Sequence, residues 1–282
     1  MGKKLYIIGN GFDLHFGLPT LPRDFEDIFK TKRSYDGYNA ADVISGYGVN
    51  WGDYEGSLAE FDVDELAYEN IVSPDYTSDH ERDRDYGITN IEYYLNTLGE
   101  VMRESLKEMV SNANNQISNV LLTNNDKRLI DTDSKIISFN YTSTIERFYR
   151  MNCFHIHGFY ENGDELVFGY KEELESGIDR ELKSDLEEDH DYYIDTQKEM
   201  ILDFYKSLKK KLKLTELKDY LMTIDKIDEV VVMGHSMSDV DAPYFELIEE
   251  TIKPAKWMVY WHNDVPDYKR YSFADRVDLK EW

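Results

Sequence analysis

Two glycines directly follow the apolar run Leu5–Ile8 and flank Asn10. Glycines at the exit of a buried strand permit a tight turn and a close approach of the backbone to a ligand. Free N–H groups at the start of a following helix then suit a phosphate, although the spacing departs from G-x-G-x-x-G. We therefore predict that Gly9, Asn10, Gly11 and Phe12 belong to a nucleotide-binding loop; the alternative is an ordinary strand-to-helix turn.

Polar residues continue this loop. Asp13 lies two residues after Gly11, where a carboxylate would repel a phosphate but suits a ribose hydroxyl. The alternative role for Asp13 is the N-cap of the next helix. Gly17 precedes Pro19 and Thr20 in a turn that we expect to close over the same ligand.

Asn140 follows a second apolar run, Ile136–Phe139. Ligands of open α/β sheets bind outside the carboxyl ends of the strands. We therefore predict that Asn140 is a catalytic residue that holds a sugar hydroxyl or positions a water. The alternative is a plain Asn turn with Thr142 as a helix cap.

Two histidines lie in the segment Cys153–Gly158, which reads CFHIHG. Because side chains alternate along a strand, we expect His155 and His157 on the same side of it. A histidine at a strand end can act as a general base near pH 7, and we predict this role for His157. Two alternatives stay open: a hydrogen-bonded structural histidine, and a metal pair completed by further ligands, with Cys153 on the same side.

A third polar cluster, Gly234–Asp239, follows the apolar run Glu229–Met233. We predict that Gly234, Ser236 and Asp239 bind a ribose or the edge of a base. The second glycine of G-x-S-x-G is absent, so the pattern does not favour a serine-hydrolase nucleophile. The alternative is the turn and N-cap of the next helix.

Short buried strands and amphipathic helices must position these residues. The apolar runs are nearly continuous rather than alternating, as expected where helices cover both faces of a sheet. A further strand is expected in Asn152–His157, and spacings of three and four residues predict helices over Ile91–Val110 and Asp203–Leu221. This alternation indicates an α/β fold with a mostly parallel sheet flanked by helices. The four runs are Leu5–Ile8, Ile136–Phe139, Glu229–Met233 and Trp257–Trp261.

The chain has 282 residues and is expected to form one α/β domain over residues 1–282. Two segments interrupt the regular pattern. Thr31–Tyr86 is rich in Tyr, Asp, Gly and Ser, and Glu172–Tyr193 is strongly acidic. We therefore expect helical or loop insertions at about 31–130 and 171–225.

Charge and cysteine content narrow the class of protein. The 32 Lys and Arg residues against 57 Asp and Glu residues give a net charge of −25, so general nucleic-acid binding is not expected. The basic run Lys206–Lys213 is interpreted as a solvated helix face. Cys153 is the one cysteine, which excludes an intrachain disulfide and fits a reducing compartment. With neither a signal peptide nor a stretch of ~20 apolar residues, we expect a cytoplasmic protein without a membrane partner.

These segments together resemble the AbiH family of bacteriophage abortive-infection proteins, along nearly the whole chain. The AbiH pattern is in turn similar to that of sirtuin-like proteins, which bind NAD and often hydrolyse it. The AbiH-like segments are IIGNGFDLHFGLPT, WGDYE at Trp51–Glu55, SFNYT, HIHG and GHSMSDVD. The positions that match the sirtuin-like motifs are Gly9, Gly11, Gly17–Thr20, Asn140, His157, Gly234, Ser236 and Asp239.

The resemblance implies a Rossmann-like (sirtuin-like) fold and cleavage of the nicotinamide–ribose bond of NAD. His157 would be the base, and Asn140 would position the water or the ribose. NAD is then a substrate or a ligand, and no metal is expected. The alternatives are a nucleotide sensor that acts through a partner without chemistry, and a metal-dependent nuclease using His155, His157 and nearby carboxylates. A phage trigger protein as a partner and an oligomeric state both stay open.

Overall fold

The structure is a computed structural model that describes residues 3–171, 191–262 and 264–282. A six-stranded sheet lies at its centre, in the order β3-β2-β1-β4-β5-β6, and every neighbouring pair is parallel. The predicted Rossmann-like α/β fold is thereby confirmed. The strands are β1 (Lys4–Ile8), β2 (Lys135–Ser138), β3 (Phe154–His155), β4 (Glu229–Met233), β5 (Lys256–Trp261) and β6 (Val277–Glu281).

Eleven α-helices accompany the strands in the described residues. None of these helices combines the length and the apolar composition that crossing a bilayer requires. The helices are α1 (Asn10–His15), α2 (Pro22–Phe29), α3 (Ala40–Gly46), α4 (Tyr54–Ser57), α5 (Val63–Asn70), α6 (Glu81–Arg84), α7 (Tyr86–Ile117), α8 (Thr144–Tyr149), α9 (Tyr192–Ser207), α10 (Leu214–Thr223) and α11 (Ala242–Ile252).

Alternating side chains of the strands fill two apolar clusters, one on each face of the sheet. Leu5 and Ile7 of β1 belong to the cluster that includes residues of α10 and α11. Tyr6 and Ile8 belong to the other cluster, together with Phe12 of α1. Because both faces are covered, the central strands are nearly continuous apolar runs, as a parallel sheet requires.

The order of connection reverses at β1. The chain passes from β1 to β2 and β3 on one side, and later returns to β4, β5 and β6 on the other. In open α/β sheets, the crevice at such a reversal, outside the carboxyl ends of the strands, is the usual place for a ligand. The fold therefore places the residues that follow Ile8 and Met233 at this crevice.

The chain divides into two compact units. The first comprises Met1–Leu21, Lys107–Val167 and Lys211–Trp282, and it contains all six strands. The second comprises Pro22–Leu106 and Phe168–Lys210. The two expected insertions coincide in part with the second unit, and the expectation of a single domain stays a prediction.

The WGDYE segment contributes to the interior of the second unit. Trp51 stacks on Tyr54 at 5.3 Å between ring centroids, and both rings contact Phe25. The buried Lys210 ammonium lies 3.5 Å from a carboxylate oxygen of Glu55. These residues therefore have a packing role within that unit.

The structure differs from the predicted helix over Asp203–Leu221. A break separates α9 from α10, because Leu208 and Lys210 form backbone hydrogen bonds with Tyr170 instead of continuing the helix. The basic run Lys206–Lys213 therefore spans a helix end and a connecting segment rather than one solvated helix face.

Two further predictions concern shorter segments. The strand expected over Asn152–His157 is limited to Phe154–His155, so His157 lies in the turn that follows β3. The acidic segment Glu172–Tyr193 lies outside the described residues as far as position 190.

Candidate functional site

The loops after β1 and β4 pack against each other backbone to backbone. The Gly9 amide donates to the Met233 carbonyl at 3.0 Å, and the Gly11 amide donates to the Gly234 carbonyl at 2.7 Å. A Cβ atom on Gly9 would lie 2.6 Å from the Gly234 oxygen. A Cβ on Gly234, whose φ is +67°, would lie 2.2 Å from the Phe12 nitrogen. Glycine is thus required on both sides of this contact.

This packing gives the loop residues a structural role that differs from the predicted binding of a phosphate. The amides of Gly9 and Gly11 are already engaged in backbone hydrogen bonds, and α1 is only six residues long. Phe12 is fully buried and contacts the rings of Phe16 and Trp282, so its side chain belongs to the core. The observed role of these residues is to join the first loop to β4 and to the core.

Asn10 closes the first loop on itself. Its side-chain amide donates to the Thr20 carbonyl at 2.8 Å, and Asn10 is otherwise exposed to solvent. Thr20 is buried, and its hydroxyl has no hydrogen-bond partner among the described residues. Pro19 is half-buried beside it. The structure therefore brings together the two ends of the predicted binding loop, Asn10 and Thr20.

Asp13 points into the protein and not towards a ribose. One carboxylate oxygen accepts from the Thr144 hydroxyl at 2.6 Å, and the other accepts from the Thr142 hydroxyl at 2.7 Å. Burial raises the pKa of Asp13 to about 6, although hydrogen bonds from Thr144, Thr142 and Asn140 act in the opposite direction. These contacts replace the predicted ribose contact with an internal anchor between α1 and the start of α8.

Asn140 is buried where β2 ends and connects three strands. Its side-chain amide donates to the Gly9 carbonyl at 3.1 Å, and its own carbonyl accepts from the His155 Nδ1 at 2.9 Å. The predicted position at the strand end is correct, but these contacts are those of a residue that holds the first loop in place. We therefore treat Asn140 as a positioning residue.

His157 is buried, with 4 % of its surface exposed. Its Nε2 lies 3.5 Å from Asp241 Oδ1, and its ring and the ring of Phe139 make a T-shaped contact at 5.0 Å between centroids. The ring of Tyr244 packs on the His157 ring, with 5.7 Å between the ring centroids. A buried imidazole beside a carboxylate, surrounded by aromatic rings, has the arrangement of an oriented general base.

His235 contacts the same carboxylate from the other side. Its Nε2 lies 3.4 Å from Asp241 Oδ2, and its Nδ1 accepts a hydrogen bond from the Met237 amide at 2.9 Å. Because Nδ1 is an acceptor, the proton of the neutral ring is on Nε2 and faces Asp241. His157, Asp241 and His235 thus form a buried group, the His–Asp–His triad, in which one carboxylate contacts two imidazoles.

Sequence reasoning missed Asp241 and His235. It chose Asp239 and Ser236 of the same segment, but Asp239 is exposed and paired with Arg270, and Ser236 is exposed. Asp241 ends a short 3-10 turn, Asp239–Asp241, which directs it inward ahead of α11. The available signal was the second carboxylate in the letters SDVD.

His155 and His157 do not share a partner. His155 Nε2 lies 2.9 Å from Glu146 Oε1, whereas His157 faces Asp241. The expectation that both histidines point to the same side was wrong, because β3 ends at His155 and the chain then turns.

Comparison with known protein families gives a match. The family model described as "Bacteriophage abortive infection AbiH" matches residues 5–261. No curated protein and no solved structure matches the chain, and nothing in these comparisons bears out the sirtuin-like resemblance. The matched range includes every residue of the first loop, Asn140 and the His–Asp–His triad. The chain therefore belongs to the bacteriophage abortive infection AbiH family.

Proposed function

We propose that this AbiH protein acts in abortive infection by hydrolysing the nicotinamide–ribose bond of NAD, with His157 as the general base. The observation that carries the proposal is the buried His–Asp–His triad. It is formed by residues that follow β3 and β4, in the same unit as the crevice where the strand order reverses. Asn140 then acts by holding the Gly9 loop rather than by contacting the water.

The chemistry needs a base and one water. The water oxygen bonds to C1′ of the ribose as the C1′–N bond breaks, and the bonding electron pair leaves on the nicotinamide nitrogen. The proton that the water loses goes to His157. Asp241 Oδ1 faces Nε2 of His157 at 3.5 Å, and the carboxylate stabilises the imidazolium that forms when the ring accepts this proton. The products are nicotinamide, ADP-ribose and one proton.

The test is NAD hydrolysis by the purified chain, measured by chromatography of nicotinamide and ADP-ribose, alone and with phage lysate. His157→Ala should lower the rate by about 10²–10⁴-fold, the usual contribution of general-base catalysis. Asp241→Asn should lower it by at least about 10²-fold, because an amide no longer stabilises the charged imidazole. Exchange of exposed Asp225, which pairs with Lys3, for Asn is the matched control and should leave the rate unchanged.

One outcome would contradict the proposal, and a second would then identify a different function. If the wild-type chain leaves NAD intact under both conditions, the glycohydrolase function is wrong. If calorimetric titration then shows NAD or ADP-ribose bound without turnover, the protein is a nucleotide sensor that acts through a partner.

A further inference from the structure

Three side chains of different chemistry meet at Glu146, Cys153 and His155. One carboxylate oxygen, the thiol sulfur and one ring nitrogen all lie within 4.8 Å of one another. Glu146 is in the first turn of α8, Cys153 directly precedes β3, and His155 ends that strand. The His155 side chain is 5 % exposed and that of Glu146 is 23 % exposed. We call this group the Glu–Cys–His cluster; it shares no residue with the His–Asp–His triad.

The orientation of His155 is that of a metal ligand. Its Nδ1 donates to the Asn140 carbonyl at 2.9 Å, which puts the proton of the neutral ring on that nitrogen. The lone pair of Nε2 then points at a carboxylate oxygen of Glu146, 2.9 Å away. Two lone pairs at this distance require a cation or a proton between them. In metal sites, a histidine ligand commonly donates its other N–H to a backbone carbonyl in this way.

Glu146 supplies a second, separate observation. Its other carboxylate oxygen, Oε2, is buried and accepts no hydrogen bond from the described residues. A buried carboxylate oxygen without a donor loses its hydration uncompensated, and a bound cation would restore that interaction.

We propose that Glu146, Cys153 and His155 bind a divalent zinc ion. Imidazole, thiolate and carboxylate are the three ligand types that zinc takes in proteins. Zinc–ligand bonds of about 2.0–2.3 Å in tetrahedral geometry set ligand separations of roughly 3.4–3.6 Å. The nitrogen–oxygen distance of 2.9 Å opens slightly to reach this separation, and the sulfur already lies within 4.8 Å of both atoms. A water completes the tetrahedron.

The metal would stabilise the structure around the His–Asp–His triad and would not contact the triad itself. Zinc on Nε2 fixes the His155 ring, and His155 holds the Asn140 carbonyl, which belongs to the residue that holds the Gly9 loop. The sequence led us to expect no metal; the geometry of the Glu–Cys–His cluster leads to the opposite proposal. It does not depend on hydrolysis of NAD.

The test uses chain without a polyhistidine tag, stripped with a chelator and titrated with Co²⁺. Because Cys153 is the one cysteine, a thiolate-to-cobalt charge-transfer band in the near ultraviolet reports this position alone. We expect the band to saturate at one Co²⁺ per chain and to disappear on addition of Zn²⁺. Cys153→Ser should lack the band, and His155→Gln and Glu146→Gln should each weaken Co²⁺ binding at least about tenfold.

His80→Gln, a change at an exposed histidine outside the Glu–Cys–His cluster, is the matched control and should leave the titration unchanged. Circular dichroism of each variant separates a lost ligand from a lost fold, and Cys153→Ser is nearly isosteric. Absence of the band in folded wild-type protein, or unchanged Co²⁺ affinity in folded His155→Gln, would overturn the proposal. Neither readout involves NAD, so failure of the metal site and failure of the proposed hydrolase function are distinguishable.

Discussion

The carboxylate of Asp13 is buried in the protein. Its pKa in the folded protein is about 6 because burial disfavours the charged form, whereas an exposed Asp titrates near 3.9. Between these two values the folded state binds more protons than the unfolded state. The stabilisation from the protonated carboxyl is therefore present at about pH 4 and is lost as the pH rises through about 6.

Asp13→Asn should remove this dependence. An amide does not titrate, and it can accept from one of the two threonine hydroxyls and donate to the other. Relative to Asp13→Asn, the free energy of unfolding of the wild type should fall by about 2–3 kcal/mol between about pH 4 and about pH 7. Urea unfolding of both proteins across this range measures the difference, and parallel stability curves would contradict the prediction.

Single side chains are also where sequence reasoning reached its limit. The pattern located Asn140 and His157 at strand ends, because a polar residue after a continuous apolar run marks the carboxyl end of a buried strand. It did not give the direction of a side chain. The 3-10 turn over Asp239–Asp241 turns one carboxylate outward and the other inward, and no periodicity in the letters SDVD separates the two.

The contact between the loops after β1 and β4 is a property of two elements rather than of one residue. Gly234 and Gly17 both have φ near +70°, so an alanine at either position pays a similar backbone strain of about 1–2 kcal/mol. Only Gly234 has the backbone of the facing loop within contact distance; nothing lies within 4 Å of a Cβ at Gly17.

Gly234→Ala should therefore destabilise the protein clearly more than Gly17→Ala. We expect a loss of about 1–2 kcal/mol for Gly17→Ala and at least about 2 kcal/mol more for Gly234→Ala, because the Phe12 nitrogen must move away. Urea unfolding monitored by tryptophan fluorescence gives both values. Equal losses would mean that the two loops separate without cost and that their packing does not hold the crevice together.

The strands were predictable to the extent that they are buried. Glu229–Met233 reads as a continuous apolar run because both faces of β4 are covered. Val277–Glu281 forms the edge strand β6 and is mostly exposed, so it carries no apolar run and was not predicted. The break between α9 and α10 depends on the distant Tyr170 backbone, which a local pattern does not contain.

The net charge of −25 belongs to the whole molecule and bears on the remaining alternative, a metal-dependent nuclease. The one dense basic run does not present a continuous cationic stripe: Lys210 is buried beside Glu55, and Lys206 lies near Asp203. A protein that binds the phosphate backbone of a nucleic acid displaces counterions, so its binding should strengthen as the salt concentration is lowered. A chain with this negative charge should instead be repelled by the nucleic acid, most strongly at about 0.01 M salt, where the screening length grows to ~30 Å.

We therefore expect no increase in the anisotropy of a fluorescent DNA duplex or single strand when the protein is added at low salt, with or without Zn²⁺. The comparison with zinc matters because an occupied Glu–Cys–His cluster adds at most one net positive charge, since zinc displaces the proton of the Cys153 thiol, and the overall sign stays unchanged. Binding that weakens with added salt would show a cationic surface that the net charge conceals, and it would restore the nuclease alternative. If binding is absent under all these conditions, the nuclease alternative is wrong.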